Sequence, residues 1–120
     1  MAEHNELWAL GEKLAVAYLK EKGYEIIETN WRSGQLEIDI IAQNKDFLIV
    51  AEVKTRSTNV FGEPEEFVTK QKQKLLIKAA GDYVIKMNLD VEVRFDIISV
   101  LVNRGKHQVN HIEDAFYARL

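Results

Sequence analysis

Two short apolar runs separated by a polar turn dominate the hydrophobic pattern in the first half of the chain. The runs cover residues 36–42 and 47–53, are rich in Ile, Val and Phe, and flank the polar stretch 43–46, which reads QNKD. Runs of this length and composition predict strands, and the turn between them predicts an antiparallel hairpin. Both faces of the two runs are apolar, which is typical of central strands that are covered on two sides.

Four charged residues lie within these runs or directly beside them: Glu37, Asp39, Glu52 and Lys54. A two-residue loop at 44–45 predicts that Glu37 faces Glu52 and that Asp39 faces Val50. Because side chains alternate with a period of two, all four charges then project from one face, and a four-residue loop would keep that arrangement. Three carboxylates crowded on a half-buried face need a proton or a cation, and one lysine cannot neutralise them. The pattern therefore predicts a site for Mg²⁺ or Mn²⁺, which prefer oxygen ligands.

One helix is predicted before the hairpin in the sequence and one after it. The first covers about 6–22, with Asn5 as its N-cap and Gly23 at its C-terminal end. The second is capped by Thr69 and runs to about Met87, with apolar residues at a period of 3.6.

Further strands are predicted over 24–30 and 90–102, with 31–34 as the connection into the hairpin and 56–64 as a loop after it. The tail from Asn103 is predicted to contain a turn and a final short stretch. The order helix, strand, hairpin, helix, strand predicts a three-layer α/β domain with a mixed central sheet.

Length and composition narrow the classes of protein that fit. A chain of 120 residues with 47% hydrophobic and 29% charged residues predicts one globular domain over 1–120. No apolar run reaches the length of about 18 residues that spans a bilayer, and the acidic N-terminal residues do not resemble a signal peptide, so a cytoplasmic location is expected. The absence of cysteine excludes disulfides and thiolate metal sites, and the three histidines have no ligand spacing for zinc.

The charged positions of the hairpin also resemble a known signature. Asp39, followed after the turn by Glu52-Val53-Lys54, is similar to the D…(D/E)-x-K signature of the restriction-endonuclease-like nucleases. A longer ordered set of motifs resembles the YraN-like family of small bacterial proteins, a predicted endonuclease group similar to archaeal Holliday-junction resolvases. The set, which extends over about residues 7–102, comprises Gly11-Glu12, Gly23-Tyr24, Asn30-Trp31-Arg32, Glu37-Ile38-Asp39, Glu52-Val53-Lys54-Thr55-Arg56, Phe61-Gly62, Lys70 and Arg94-Phe95-Asp96. One departure is Leu36, where family members usually carry glycine.

The resemblance implies a restriction-endonuclease-like fold and metal-dependent hydrolysis of phosphodiester bonds in DNA, including branched or recombination intermediates. Asp39 and Glu52 would hold Mg²⁺ or Mn²⁺, with the carbonyl of Val53 as a further ligand. Lys54 would orient a water molecule or stabilise the charge of the transition state. Glu12 is the fourth catalytic candidate because it is expected to lean over the metal. The alternative for Glu12 is a partly exposed helix carboxylate paired with a lysine such as Lys13 or Lys20.

Three basic residues are candidates for contacts with nucleic-acid phosphates: Arg56, Lys70 and Arg32. Arg56 follows Lys54 at the end of its strand, and Lys70 begins the second helix, where the helix dipole favours phosphate. A solvated side chain is the alternative for each, and it is the expectation for the other lysines of this helix, Lys72 among them.

Two acids have alternative roles. Glu37 is expected to pair with Arg32 or Lys54 in preference to binding a second ion. Asp96 is expected to pair with a basic residue such as Arg94, or to accept backbone donors, and has little weight as a catalytic residue.

Two other functions stay open from the sequence. The first is a nucleic-acid-binding module that keeps the nuclease fold with little turnover, and the second is a structural domain whose acids pair with Lys and Arg. The intact Asp39, Glu52 and Lys54 favour the enzyme. The expected partner is nucleic acid, in the first place DNA, no membrane is expected, and the resolvase-like relatives suggest a homodimer.

Overall fold

The computed structural model describes residues 2–57 and 68–118 of the chain, with side chains from Glu6 onwards. The described elements are α1 (Ala2–Glu21), β1 (Glu25–Ser33), β2 (Leu36–Gln43), β3 (Leu48–Arg56), α2 (Lys70–Lys86), β4 (Val93–Asn103) and β5 (Lys106–Phe116). The five strands form one sheet in chain order. Neighbouring strands are antiparallel except β3 and β4, which are parallel and connected by the crossover that contains α2.

The two helices cover opposite faces of the sheet. Ala15 and Leu19 of α1 belong to a core cluster with alternate residues of β3, such as Ile49. On the other face, Leu76 of α2 belongs to a second cluster with the intervening residues of β3, such as Val50. The predicted three-layer α/β architecture with a mixed sheet is therefore confirmed, and it is compatible with a restriction-endonuclease-like fold. No helix in the described part of the chain is long and apolar enough to cross a membrane.

The helix ends follow from local sequence in three of the four cases. Gly23, with φ of 95°, ends α1, because its N–H donates to the carbonyl of Lys20 and that of Tyr24 donates to the carbonyl of Leu19. The side chain of Thr69 caps α2, which ends at Lys86 as expected. The predicted cap at Asn5 is wrong, because α1 extends back to Ala2.

Two strands are longer than predicted. β1 continues to Ser33, so most of 31–34 belongs to the sheet and the turn lies at Gly34, whose φ is 61°. The final stretch forms the 11-residue strand β5, which pairs along β4. Most of the predicted loop 56–64 lies outside the described residues.

The hairpin of β2 and β3 is shifted by two residues from the predicted register. Asn44 accepts hydrogen bonds through Oδ1 from the N–H groups of Asp46 and Phe47, at 2.9 and 2.8 Å, and so fixes a four-residue loop. Gln43 therefore pairs with Leu48, and Ile40 pairs with Ala51. The predicted pairs of Glu37 with Glu52 and of Asp39 with Val50 are wrong. The same register continued by one residue brings Asp39 to the level of Glu52, and the alternation of faces is unchanged.

Candidate active site

The two expected metal ligands lie side by side where the regular pairing of β2 and β3 ends. Beyond the pair Ile40 and Ala51, the N–H of Val53 donates to Oδ2 of Asp39 at 2.9 Å. The side chain of Asp39 thus takes the place of a backbone acceptor. Asp39 is 8% exposed and Glu52 4% exposed, so both carboxyl groups have lost most of their hydration.

The carboxyl group of Asp39 lies close enough to that of Glu52 to form a hydrogen bond with it when one of the two is protonated. Burial, this hydrogen bond and repulsion from Glu52 raise the pKa of Asp39 to about 9, against the opposing effect of the Val53 N–H. The charge of Glu12 raises that pKa further. Without a cation, Asp39 is therefore neutral near pH 7, which is how two crowded carboxylates avoid carrying two charges. A divalent cation would remove the need for that proton.

Helix α1 approaches β3 very closely just before Glu12. A Cβ atom at Gly11 would collide with the side chain of Thr55, so glycine is what allows this contact. The contact places Glu12 at the end of the sheet that carries Asp39 and Glu52, close enough for its charge to act on Asp39.

Glu12 has one satisfied and one unsatisfied carboxylate oxygen. Oε1 accepts a hydrogen bond from Nδ2 of Asn30 at 2.6 Å, whereas Oε2 is buried without a hydrogen-bond partner among the described residues. Burial raises the pKa of Glu12, the Asn30 hydrogen bond lowers it, and Glu37 raises it. Within the described structure Glu12 makes no ion pair with Lys13 or Lys20, and its buried Oε2 is left without a polar contact.

Asn30 is a residue of this site that sequence reasoning did not assign to it. It lies on β1 between the pairs Thr29–Ile40 and Trp31–Ile38, which places it at the level of Asp39. Its φ of 53° lies in the left-handed region, which asparagine tolerates better than most residues. A polar Asn inside an otherwise strand-like stretch was the available signal.

Lys72 was expected to be solvated, but it contacts the acidic pair. Its Nζ lies 3.4 Å from Oε2 of Glu52, and its side chain is 41% exposed. The helical spacing contained the signal, because Lys72 precedes the buried Leu76 by four residues and so projects from the same side of α2. The site therefore contains a lysine from α2 that the strand motif does not include.

Lys54 lies two residues after Glu52 on β3 and projects from the same face of the sheet. Its side chain is partly exposed and makes no hydrogen bond or ion pair with the described residues. Its ammonium group is thus available to a ligand at the rim of the site.

A pocket of about 320 Å³ opens beside Asp39 on the α2 side of the sheet. Its lining consists of Gln35, Leu36, Glu37, Asp39, Lys72, Leu75 and Leu76. The carboxyl group of Asp39 and the ammonium group of Lys72 thus border a space large enough for a phosphate and part of its sugar.

None of the three candidates for phosphate contacts is among the residues that line this pocket. Arg32 is 2.7 Å from Glu37, so the expected ion pair of Glu37 is confirmed, although the Arg32 side chain is still 69% exposed. Arg56 is the last residue of β3 and is partly exposed. Lys70 is exposed and lines a different groove, on the other side of α2.

Asp96 lies on the opposite face of the sheet from this pocket and takes no part in it. It is completely buried and accepts hydrogen bonds from Nε and Nη2 of Arg94, at 2.9 and 2.8 Å, and from the N–H of Asp114. Nε2 of His111 lies 2.7 Å from its Oδ2. Burial would raise the pKa of Asp96, but the hydrogen bonds from His111, Arg94 and Asp114 together lower it. The expected pairing with Arg94 and backbone donors is confirmed.

The residues present fit a divalent cation that takes few ligands from the protein. Asp39 and Glu52 are in contact, the N–H of Val53 donates to Asp39, and Oε2 of Glu12 has no partner among the described groups. The carbonyl of Val53, which follows Glu52 on β3, would be a further ligand. In the described part of the chain, no three Asp, Glu or His side chains converge as a complete ligand set. Such a set would suit Mg²⁺ or Mn²⁺, which keep water and substrate oxygens as ligands, better than a closed zinc site.

Comparison with known sequences places the chain among a set of close relatives. The model of the uncharacterised protein family UPF0102 matches residues 11–100. A UPF0102 protein of Flavobacterium psychrophilum is 53% identical over 117 residues, and one of Christiangramia forsetii is also 53% identical over 117 residues, with 98% of each chain covered in both cases. A UPF0102 protein of Bacteroides thetaiotaomicron is 49% identical over 120 residues, which is 100% of this chain and 99% of that one.

These matches cover nearly the full length on both sides, and the family name agrees with the YraN-like resemblance of the motifs. The chain belongs to the UPF0102 family.

Proposed function

We propose that this protein is a metal-dependent endonuclease that hydrolyses phosphodiester bonds in DNA. The observation that supports this most directly is the pair of Asp39 and Glu52, two buried carboxyl groups from neighbouring strands that lie side by side, with Asp39 lining an open pocket. Such a pair is costly for the fold, and strongly perturbed acids in a cleft are characteristic of sites with a chemical role.

The residues divide the work by their charge. Asp39, Glu52 and the Val53 carbonyl would hold Mg²⁺ or Mn²⁺, which when bound polarises a phosphate and acidifies a water molecule. Lys54 has a free ammonium group on the same face and would stabilise the extra negative charge of the transition state. Glu12, whose buried Oε2 has no partner among the described residues, would complete or bridge the site once a cation is bound.

Lys72 would exchange partners when substrate binds. In this structure it neutralises Glu52, from a position that also lines the pocket. A phosphate entering the pocket would compete for the same ammonium group, and Glu52 would then be free to act as a ligand. The apolar side chains of Leu36, Leu75 and Leu76 would limit access of bulk water to this space.

One contact favours the alternative of a binding module with little turnover. The ion pair of Lys72 with Glu52 satisfies the acid without a metal. A protein that kept this pair closed would bind nucleic acid through its lysines and cut nothing.

The deciding experiment is a cleavage assay on fluorescent four-way junctions, flapped duplexes and linear duplexes with Mg²⁺ or Mn²⁺, and on RNA versions of the same strands. The proposal predicts metal-dependent cutting of DNA that falls about 100-fold or more in Asp39→Asn, Glu52→Gln and Lys54→Ala. Lys86→Ala, an exposed lysine at the far end of α2, is the matched control and should cut normally. Binding without cutting by the unmodified protein would favour the module, and cutting that survives in all three variants would expose a contaminant.

A further inference from the structure

A second groove lies on the side of α2 away from the acidic pocket. It has a volume of about 380 Å³ and is lined by Lys70, Gln73, Lys74, Ile77, Lys78, Tyr117 and Ala118. We call it the lysine groove. Three of its seven lining residues are lysines and none is acidic, although the whole chain has a net charge of −3.

The three lysines form one row. Lys70, Lys74 and Lys78 are spaced four residues apart, so they project from the same side of α2, and all three are exposed. Within the described residues none of them makes an ion pair. Three like charges in a row repel one another, and a polyanion would relieve that repulsion.

The groove also offers an aromatic surface. Tyr117, just after β5, is 66% exposed, and Ile77 lies beside it on the helix. A large aromatic side chain left this open, between a row of ammonium groups and an apolar floor, is the combination on which single-stranded nucleic acids stack their bases.

The lysine groove and the acidic pocket are close to each other but face different ways. Lys70 lines the groove and Lys72 contacts Glu52, and residues two apart project from nearly opposite sides of a helix. The first turn of α2 therefore separates the two spaces. A helix is about 10 Å across, which is the length of about three nucleotides of one strand at the spacing of a duplex. One strand could therefore reach from the groove to the pocket.

We propose that the lysine groove binds a single-stranded segment of the substrate, next to the bond that is cut in the acidic pocket. The inference rests on the nuclease proposed above and names its substrate class: DNA with an unpaired stretch beside the scissile bond, such as a flap or a branch. The lysines hold the phosphates and Tyr117 stacks on one base. A continuous duplex cannot use the groove, because its bases are already stacked on one another.

Binding is tested apart from cutting, by fluorescence anisotropy with a labelled oligothymidine in EDTA. Tyr117→Ala should weaken binding by at least about fivefold, the lower end for loss of one stacked base, while Tyr117→Phe should bind as the unmodified protein does. The double variant Lys74→Ala/Lys78→Ala should weaken binding and lower the slope of log K against log salt by about 0.7 per lysine. Lys20→Ala/Lys86→Ala removes the same charge from exposed positions away from the groove and should change little.

Two results of the binding assay would overturn the inference. One is equal binding by the groove variants and the control. The other is equal displacement of the oligonucleotide by polyglutamate without any effect of Tyr117→Ala, since that would make the groove a general polyanion surface for an acidic protein partner.

A cleavage arm separates this inference from the proposed function. With Mg²⁺, Tyr117→Ala should slow the cutting of flapped DNA and leave the cutting of a linear duplex unchanged. Cutting of both substrates at the unmodified rate would end the groove inference and leave the nuclease intact. Groove-dependent binding with no cutting of any substrate would end the nuclease and leave the groove.

Discussion

At the residue scale, the acidic site is governed by the proton that Asp39 retains. The pKa of this carboxyl is raised to about 9, whereas an aspartate in an unfolded chain has a value near 3.8. Between these values the folded protein binds more protons than the unfolded chain. The contribution of Asp39 to stability is therefore fully present below the unfolded value and is lost as the pH rises through the folded one.

The first prediction is that Asp39→Asn stabilises the metal-free protein more at about pH 8 than at about pH 5, by up to about 4 kcal/mol, because the amide cannot ionise. It can still accept the hydrogen bond from Val53. Thermal unfolding in EDTA at the two pH values measures the difference. Asp90→Asn, at an exposed position, should show none, and an equal effect of Asp39→Asn at both pH values would contradict the retained proton.

At the element scale, the position of α1 depends on one glycine. Gly11 lies against Thr55 of β3, and no other residue type leaves room for that side chain. The same contact holds Glu12 near the acidic pair, so packing and site geometry are linked at this point.

The second prediction is that Gly11→Ala lowers stability by about 1–3 kcal/mol, the usual cost of overpacking, and also displaces Glu12. Gly81→Ala on α2 is the matched control, because a Cβ there meets nothing within 4 Å. In that exposed helical position alanine should be neutral or stabilise the protein by about 0.5–1 kcal/mol. Urea unfolding of both variants measures the contrast, and equal behaviour would show that α1 can move away from β3 at no cost.

The pairing of β4 with β5 is reinforced by the buried group of Asp96, Arg94 and His111. Since the pKa of Asp96 is lowered in the fold, its contribution is fully present above the unfolded value of 3.8 and is lost as the pH falls through the lowered value. The element therefore weakens in acid, in the opposite sense to Asp39.

The third prediction is that Asp96→Asn destabilises the protein by about 3 kcal/mol near neutral pH, because Arg94 stays buried without its counter-charge. The loss should shrink as the pH falls below about 4, where the unmodified carboxyl is itself protonated. Glu113→Gln is the control. The side chain of Glu113 is 59% exposed and its Oε1 is 3.9 Å from Arg94, a long and solvent-screened ion pair, so the loss of stability should be small. If the loss of stability in Asp96→Asn does not change with pH, the charge of Asp96 is not its cause, and the prediction is wrong.

The features of the strands and helices that depend on neighbouring residues in the sequence could be predicted, whereas those that depend on how the elements pack could not. Alternation along β2 and β3 was enough to place Asp39 and Glu52 on one side, because any even loop keeps the parity. The register of the two strands could not be predicted in the same way, because it depends on the side chain of Asn44 closing a four-residue loop. The contact of Lys72 with Glu52 could not be predicted from the helical spacing alone, because it depends on where α2 lies on the sheet.

At the scale of the whole molecule, the site takes a group from every layer. Glu12 comes from α1, Asp39 and Glu52 come from the sheet, and Lys72 comes from α2. A cation bound at the centre would therefore stabilise the complete fold, because the unfolded chain does not bring these groups together.

The fourth prediction is that Mn²⁺ raises the thermal unfolding midpoint of the unmodified protein, by an amount equivalent to about 2.7 kcal/mol at a hundred times the dissociation constant. Asp39→Asn and Glu52→Gln should abolish the shift, and Lys86→Ala should keep it. Differential scanning calorimetry with and without Mn²⁺ measures it. A shift that persists in both acid variants would place the ion elsewhere.

The single parallel step between β3 and β4 has a consequence for folding kinetics. All other strand pairs join neighbours in the chain through short turns, but this one requires the crossover 57–92 to close first. Closure of so long a segment is entropically slow, so it is expected to belong to the transition state. Leu76→Ala in α2 should then slow refolding in stopped-flow measurements, whereas Ile112→Ala in β5 should chiefly speed unfolding. The same event brings Lys72 to Glu52, so the acids of the hairpin have no counter-charge from α2 until the crossover has closed.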